Sequence, residues 1–364
     1  MVDLQTVRSG NADLVQAYPL VAVFVGGTSG IGHYTLRELV KTRAASNGSK
    51  QQLRIYLVGR NSETAKQIIA ECQAISKGGN ISFIFVKATN LSLITDVDRV
   101  SEEIVRSERE AYVEPRIDLL IMSQGGLYLN GRDETAEGID LSMAMHYYSR
   151  ARFTIQLLPL LLKSTLPTGA RVISVFAAGM ETKFNSSDVS LRKPGSFTFD
   201  NARSHATFLT TGFFEKLAAD HAGKIALVNM FPGLIITPGF GNPDYPLWFR
   251  ILWTIFAPLA KFVATSPEEV GQRVLFNATR RYPARRNADR SETSVVRNLA
   301  KGTDGQSASG SYGVQNNNEI TSQTKRDKVF DAIKDIKRDA FPQFAWAHTL
   351  QVFDDIARTG KCSR

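Results

Sequence analysis

The sequence predicts an α/β domain of the doubly wound type, a single seven-stranded parallel sheet with helices on both faces. Three observations carry that expectation. Short apolar runs alternate with helix-length stretches from about residue 20 to residue 314. The first of these runs, Leu20–Val25, leads directly into the turn Gly26-Gly27-Thr28-Ser29-Gly30-Ile31-Gly32. Hydrophobic residues make up 43% of the 364 and charged residues 22%, enough to bury a core and too apolar for wholesale disorder.

Each element follows from its local pattern. Leu20–Val25 is apolar throughout, as a strand covered on both faces requires, and a helix follows the glycines through about Arg43. Arg54–Val58 reads as the second strand, Ser62–Ile75 as a helix, Ile81–Val86 as the third strand and Ile94–Arg109 as the next helix. Ile117–Met122 is the fourth strand, followed by a long helix from about Glu134 to Lys163 and by Arg171–Phe176 as the fifth. Ala202–Ala222 is helical, Ile225–Phe231 is the sixth strand and Gly310–Val314 the seventh. Strands joined by helices need right-handed crossovers, and hence a parallel sheet. Residues 1–364 are read as one domain with three additions: an apolar helix over the substrate cleft at 246–265, a flexible polar insertion at 283–309, and a C-terminal helical extension at 325–358 with a break before Pro342.

Lys and Arg total 44 against 35 acidic residues, a net charge of +9. The basic residues are interspersed with acidic ones. The one dense group, Arg280, Arg281, Arg285, Arg286 and Arg290, has the pattern of a solvated surface run, so nucleic acid is not the expected partner. Cys72 and Cys362 alone exclude a disulfide framework and a cysteine metal cluster, so no metal is expected and a cytoplasmic, reducing setting fits. Leu20–Val25 ends in glycines without a small-residue cleavage site, so it is not read as a secretory signal. Pro246–Thr265 is the most apolar stretch, yet it is too short and interrupted for the about twenty residues of a bilayer span. Its two readings are a helix packed over the cleft and a peripheral membrane contact through Trp248 and Trp253.

A glycine-rich turn between a buried strand and a helix lets the backbone approach a pyrophosphate and points free N–H groups and the helix dipole at it, as in Rossmann-type domains. Gly26, Thr28, Ser29, Gly30, Ile31 and Gly32 are therefore candidate cofactor ligands. At the end of the second strand an acidic residue would bind the adenosine ribose and repel a 2′-phosphate. This chain has Gly59-Arg60-Asn61 there, a guanidinium and no carboxylate, which favours NADP(H) over NAD(H).

The spacing Gly26-x-x-x-Gly30-x-Gly32 resembles the glycine motif of the short-chain dehydrogenase/reductase family. Ile117–Gly126 resembles that family's fourth strand and its Asn-Asn-Ala-Gly ending, with Ser123, Gln124 and Gly125 replacing three of the four residues. Phe231-Pro232-Gly233 with Thr237 resembles the segment that holds the nicotinamide carboxamide, and Gly310-Ser311-Tyr312 resembles the start of the last strand. The resemblance adds Asn61, Asn90, Gly125, Pro232, Gly233 and Thr237 to the expected cofactor site, with Asn90 where the family has an Asp near the adenine. It also implies a homodimer paired through the long helices.

The family's catalytic residues are replaced. Aligned before the sixth strand, Asn201-Ala202-Arg203-Ser204-His205 takes the place of Tyr-x-x-x-Lys, Ala177 takes that of the Ser, and Met145 that of the Asn on the long helix. An amide is no general acid. Proton handling is therefore expected of His205, which could also reach the ribose, with Asn201 and Ser204 beside it, of Tyr148, which shares the helical face of Met145, or of water. Ser174 is expected to face away from the cleft. Ser123–Gly125, Tyr147–Arg150 and Asn201–His205 resemble a set of fungal relatives often linked to secondary-metabolite pathways.

The function this implies is NADP(H)-dependent carbonyl reduction or alcohol oxidation on a bulky apolar small molecule. Two alternatives stand beside it. One is a non-redox isomerase or cyclase on the same fold, and the other is a non-catalytic NADP-binding module. A cytoplasmic or membrane-peripheral location suits all three.

Overall fold

Covered on both faces, Leu20–Val25 becomes strand β1 of the computed structural model, which describes all residues except 47–50, 77–78, 287–298, 323–326, 329, 332, 334 and 364. Its side chains alternate between two cores. Val21, Val23 and Val25 enter one, and Leu20, Ala22 and Phe24 enter the other. A strand of this composition can sit only in the interior of a sheet with helices on both sides.

The sheet contains β1, β2 (Leu53–Gly59), β3 (Ile81–Lys87), β4 (Leu119–Met122), β5 (Ala170–Val175), β6 (Ile225–Met230) and β7 (Ser311–Val314), all parallel, in the order β3-β2-β1-β4-β5-β6-β7. The register brings Val25 beside both Val58 and Met122, and Met230 beside both Val175 and Val314. The strand order reverses between β1 and β4, and the C-terminal ends of both strands open into one crevice.

On one face lie α1 (Leu4–Ala17), α2 (Gly30–Ala45) and α9 (Pro267–Phe276), with α3 (Ser62–Ser76) beside α2. Helix α1 was not legible in the sequence. Its stripe Val7, Leu14, Val15 has Asn11 in the middle, buried because its amide donates to the Gln272 carbonyl and side chain at 2.9 and 2.7 Å. On the other face lie α4 (Ile94–Ala111), a helical rod from Leu141 to Leu161 and α7 (Phe199–Asp220).

The long helix expected from Glu134 begins only at Leu141. Glu134 and Asp140 bridge each other across a turn with Gly138 at φ 75°, and the Asp140 carboxylate caps the rod by accepting from the Met143 N–H at 3.0 Å. The rod runs through α5 (Leu141–Met143), a π-helical turn at Ala144–Tyr148 and α6 (Ser149–Leu161). Such turns are rare and often mark functional positions.

Helix α10 (Phe341–Thr359) lies along α7. Phe213 stacks on Trp346 with ring centroids 5.4 Å apart, and a Cβ on Gly212 would stand 2.8 Å from that of Ala345. One face of α7 is thus covered by the same chain. Helix α8 (Leu247–Val263) forms where the apolar stretch predicts a helix, but it does not pack down: only Ala260 is buried. The ends of the 283–309 insertion are pinned, Ala284 N–H to the Thr168 carbonyl and Ala300 N–H to that of Arg281; the flexible centre expected from its composition, Arg290 included, lies outside the described residues.

The most buried ion pair joins β2 to α4. Arg54 donates Nε and Nη2 to the Glu108 carboxylate at 3.1 and 2.9 Å, and the Tyr56 hydroxyl donates to it at 3.0 Å. Glu108→Ala leaves Arg54 as an uncompensated buried cation, so we expect a loss of about 3–5 kcal/mol in unfolding free energy, read from urea midpoints against the unmodified chain.

Candidate functional site

Strand β1 must turn sharply into α2, and the turn runs against the backbone leaving β4. Gly26 has φ 80°, and a Cβ there would lie 2.7 Å from the Gln124 backbone nitrogen. No side chain can replace its hydrogen without moving β4. Gly30 opens α2 at φ 52°, under the side chain of Thr237. The N-terminus of α2 carries no side-chain cap, so its first-turn N–H groups face the crevice unclaimed, the arrangement that binds a phosphate.

The crevice is a cleft of about 1090 Å³, larger than the ~300–1,000 Å³ of a pocket for one small molecule. Gly26, Thr28, Ser29, Gly30 and Ile31 line it at the α2 end, with Arg60 and Asn90 beside them. Gly125, Pro232, Gly233 and Thr237 line it further along. Arg60 is exposed and makes no hydrogen bond or ion pair to any described residue. Two residues expected here have other positions. Gly32 lies behind the turn against the Gly26 carbonyl, and the Asn61 side-chain oxygen caps α3 by accepting from the N–H groups of Glu63 and Thr64 at 2.9 and 3.0 Å.

The expected catalytic residues do not reach the cleft. His205 is buried beneath the 185–189 loop, where Nε2 accepts from the Asn185 N–H at 3.1 Å and Nδ1 consequently donates to the Val189 carbonyl at 3.0 Å. Both nitrogens are used, which leaves neither for a ribose or a proton. Asn201 donates its amide to the Ser196 carbonyl at 2.8 Å, and with His205 it lines a different pocket of about 470 Å³. Ser204 Oγ accepts from the N–H groups of Thr182 and Lys183 at 2.9 and 3.0 Å. Tyr148 is buried in the rod with its hydroxyl 2.8 Å from His348 Nε2.

A shift of two residues along α7 explains the difference. Two positions turn a helix by about 200°, so if Asn201 and His205 face away, Phe199 and Arg203 face the cleft, and both line it. Phe199 and Arg203, four residues apart, thus share the cleft-facing side of α7. Arg203 donates Nη2 to Asp200 at 2.8 Å while its buried Nε has no acceptor among the described residues. Met145 and Ala177 line the cleft at the positions expected of them.

Tyr128, His146 and Arg150 lie together under the far end of the cleft. Arg150 is buried and has no carboxylate partner among the described residues. Nη1 donates to Ser174 Oγ and the Val175 carbonyl at 2.8 and 2.9 Å, Nη2 to the Gln124 carbonyl at 2.5 Å, and Nε to the Met145 carbonyl at 3.3 Å. Ser174, as expected, is turned away from the cleft surface, and it serves to hold this guanidinium. Burial pushes Arg150 down to about 9. His146 stacks on Phe176 with centroids 4.4 Å apart and pairs Nδ1 with Ser142 Oγ at 3.3 Å; burial, with Arg150 adding, pushes it down to about 3. The Tyr128 ring meets the edge of His146 at 5.4 Å. Burial raises its hydroxyl to about 12 against the pull of Arg150 and Arg60.

These residues fit a dinucleotide: a side-chain-free turn, an uncapped helix start, an unpartnered Arg60 and an Arg203 Nε lacking an acceptor all face one groove. Sequence reading missed Tyr128 because it lies in the irregular loop after β4. His146 and Arg150 stood within the stretch that drew notice to Tyr148, at i and i+4 on one face, and that spacing was the available signal.

No protein-family model matches the chain. Among curated proteins, the short-chain dehydrogenase/reductase SAT2 of Stachybotrys chartarum is 39% identical over 363 residues, covering 98% of both chains. The oxidoreductase AN1596 of Emericella nidulans is 31% identical over 360 residues, 97% of this chain and 98% of that one. Among solved structures, a Pseudomonas aeruginosa RhlG/NADP active-site complex superposes with a TM-score of 0.50 at 17% identity, over 73% of this chain and 91% of that one, a likeness of fold.

Two outcomes are expected from this geometry. His205→Ala removes the two hydrogen bonds that pin the 185–189 loop and should cost about 1–3 kcal/mol of stability while leaving turnover per folded molecule within a few fold; a role in catalysis would instead cost about 10²–10⁴ in kcat. His146 is held neutral in the folded chain, from an ordinary 6.5 down to about 3, so the unfolded chain takes up its proton first. Its contribution is complete above pH 6.5 and is lost as the pH falls towards 3. Urea midpoints between pH 6.5 and 5 should therefore decline, and less steeply in His146→Gln.

Proposed function

Because the chain belongs to the short-chain dehydrogenase/reductase family of oxidoreductases, we propose that it uses NADP(H) to reduce a carbonyl, or oxidise an alcohol, on a bulky apolar small molecule of the secondary-metabolite kind. One observation carries this reading: a single continuous cleft has an exposed cation without a hydrogen-bond or ion-pair partner among the described residues, Arg60, at its cofactor end, and a buried cation with no carboxylate partner among them, Arg150, under its far end.

Arg60 stands at the end of β2, where a guanidinium can fork onto a ribose 2′-phosphate. The uncapped start of α2 takes the pyrophosphate, and Arg203 reaches the nicotinamide ribose in the role the family gives its Lys. When bound, the nicotinamide supplies or accepts the hydride. The chain's own residues handle the proton. In reduction the Tyr128 hydroxyl donates it to the oxygen as negative charge develops there, and Arg150 lowers the energy of the phenolate that remains. Oxidation runs the same transfer in reverse. Ala177 offers the substrate no hydrogen bond, so the carbonyl is oriented by packing against Met145, Phe176 and Phe199, which suits an apolar substrate.

Calorimetric titration with NADPH and NADH, followed by a screen of bulky ketones and alcohols at 340 nm, tests this. Arg60→Ala should weaken NADPH about tenfold to a hundredfold and leave NADH nearly unchanged. Tyr128→Phe should lower kcat by about 10²–10⁴ with NADPH affinity kept. NADPH binding with a product at the substrate's own oxidation level would replace this reading with an isomerase or cyclase. Binding of neither nucleotide would overturn it.

A further inference from the structure

Among the described residues no single helix is long and apolar enough to cross a membrane, yet α8 leaves a broad apolar face without protein cover. Leu247, Ile251, Ile255, Leu259, Phe262 and Val263 are 54–87% exposed, and Trp248 and Phe256 lie between them, also exposed. At about 100° per residue these side chains occupy one half-cylinder, about 180° wide. The opposite half holds Trp253 and Ala260 towards the protein and Arg250, Thr254 and Lys261 together along one flank.

We infer that α8 is a monotopic membrane contact, lying in the plane of an anionic bilayer interface and seating the mouth of the cleft on the lipid. Four features select this occupant. The helix contains no Asp or Glu, its only charges are the two flanking cations, and the whole chain carries +9, all complementary to acidic headgroups. The face is nearly twice the about 100° stripe that a partner helix covers, whereas a planar surface covers all of it. Seventeen residues make a rod of about 25 Å, too short to span, and α9, bent 64° away, is buried against α2 and cannot extend it. The helix is also joined to the cleft: Phe240, which lines it, stacks on Trp253 with centroids 4.3 Å apart, and Tyr245, another lining residue, meets Phe249 at 5.1 Å. The helix lying flat thus brings the opening to the surface where apolar molecules dissolve.

The test is sedimentation of the full chain with vesicles of phosphatidylcholine alone and of phosphatidylcholine mixed with phosphatidylserine, with tryptophan emission as a second readout. We expect binding to the mixed vesicles with a blue shift, weakened by salt and by omission of phosphatidylserine. The double variant Ile255→Glu, Phe262→Glu should lose about tenfold or more in partitioning, with melting temperature and nucleotide affinity unchanged. Arg250→Glu with Lys261→Glu should abolish the preference for phosphatidylserine. Failure to sediment with either vesicle overturns the inference. So does a dimer in solution that Ile255→Glu dissociates, since a second copy would then be the cover. Because no substrate is used, neither result depends on the proposed chemistry.

Discussion

The close approach of the turn after β1 to the backbone leaving β4 sets the geometry of everything that follows. Two parallel strands that part company at a reversal of strand order leave a crevice between their ends only if nothing projects into it, and Gly26 meets that condition because it carries no Cβ, which would lie 2.7 Å from the Gln124 backbone nitrogen. The start of α2 follows from that turn, and Thr237 packs over its first residue, Gly30. The floor of the cleft is thus built from backbone and glycine and its rim from loops, which is where binding residues commonly lie.

Most of the sheet was legible because strands buried on both faces are written as largely apolar runs: Leu20–Val25 keeps that signal without interruption, and Leu53–Gly59 and Ile225–Met230 are broken only by Arg54 and Asn229. Their helices were legible to within a few residues. The long rod was not, since its start depends on a turn that Gly138 and Asp140 make together, and no helical period marks that. Helix α1 escaped for a related reason: a hydrogen-bonded Asn11 occupies the place of an apolar residue in its stripe. A buried amide whose nitrogen finds two acceptors can hold such a place, but only the structure reveals those acceptors.

The cofactor end was legible because its chemistry is carried largely by backbone and glycine, which leave a mark in sequence. The chemical end was carried by side chains whose direction depends on helix register. Helix α7 is buried nearly all round, by the sheet on one side and α10 on the other, so its composition shows no polar face from which to count. An error of two residues there reverses inside and outside. Nor can a sequence show that both nitrogens of His205 are already committed to loop backbone, the fact that separates a structural histidine from a reactive one.

Helix α10 has a further effect on how the chain behaves in solution. It supplies from within one polypeptide an apolar cover for α7 that another arrangement would draw from a neighbour, with Phe341, Ala345 and Phe353 buried along it. Cover that is covalently attached arrives at an effective concentration set by the linking segment and not by expression level. Docking of that cover is then a first-order step whose extent does not depend on how many chains are present.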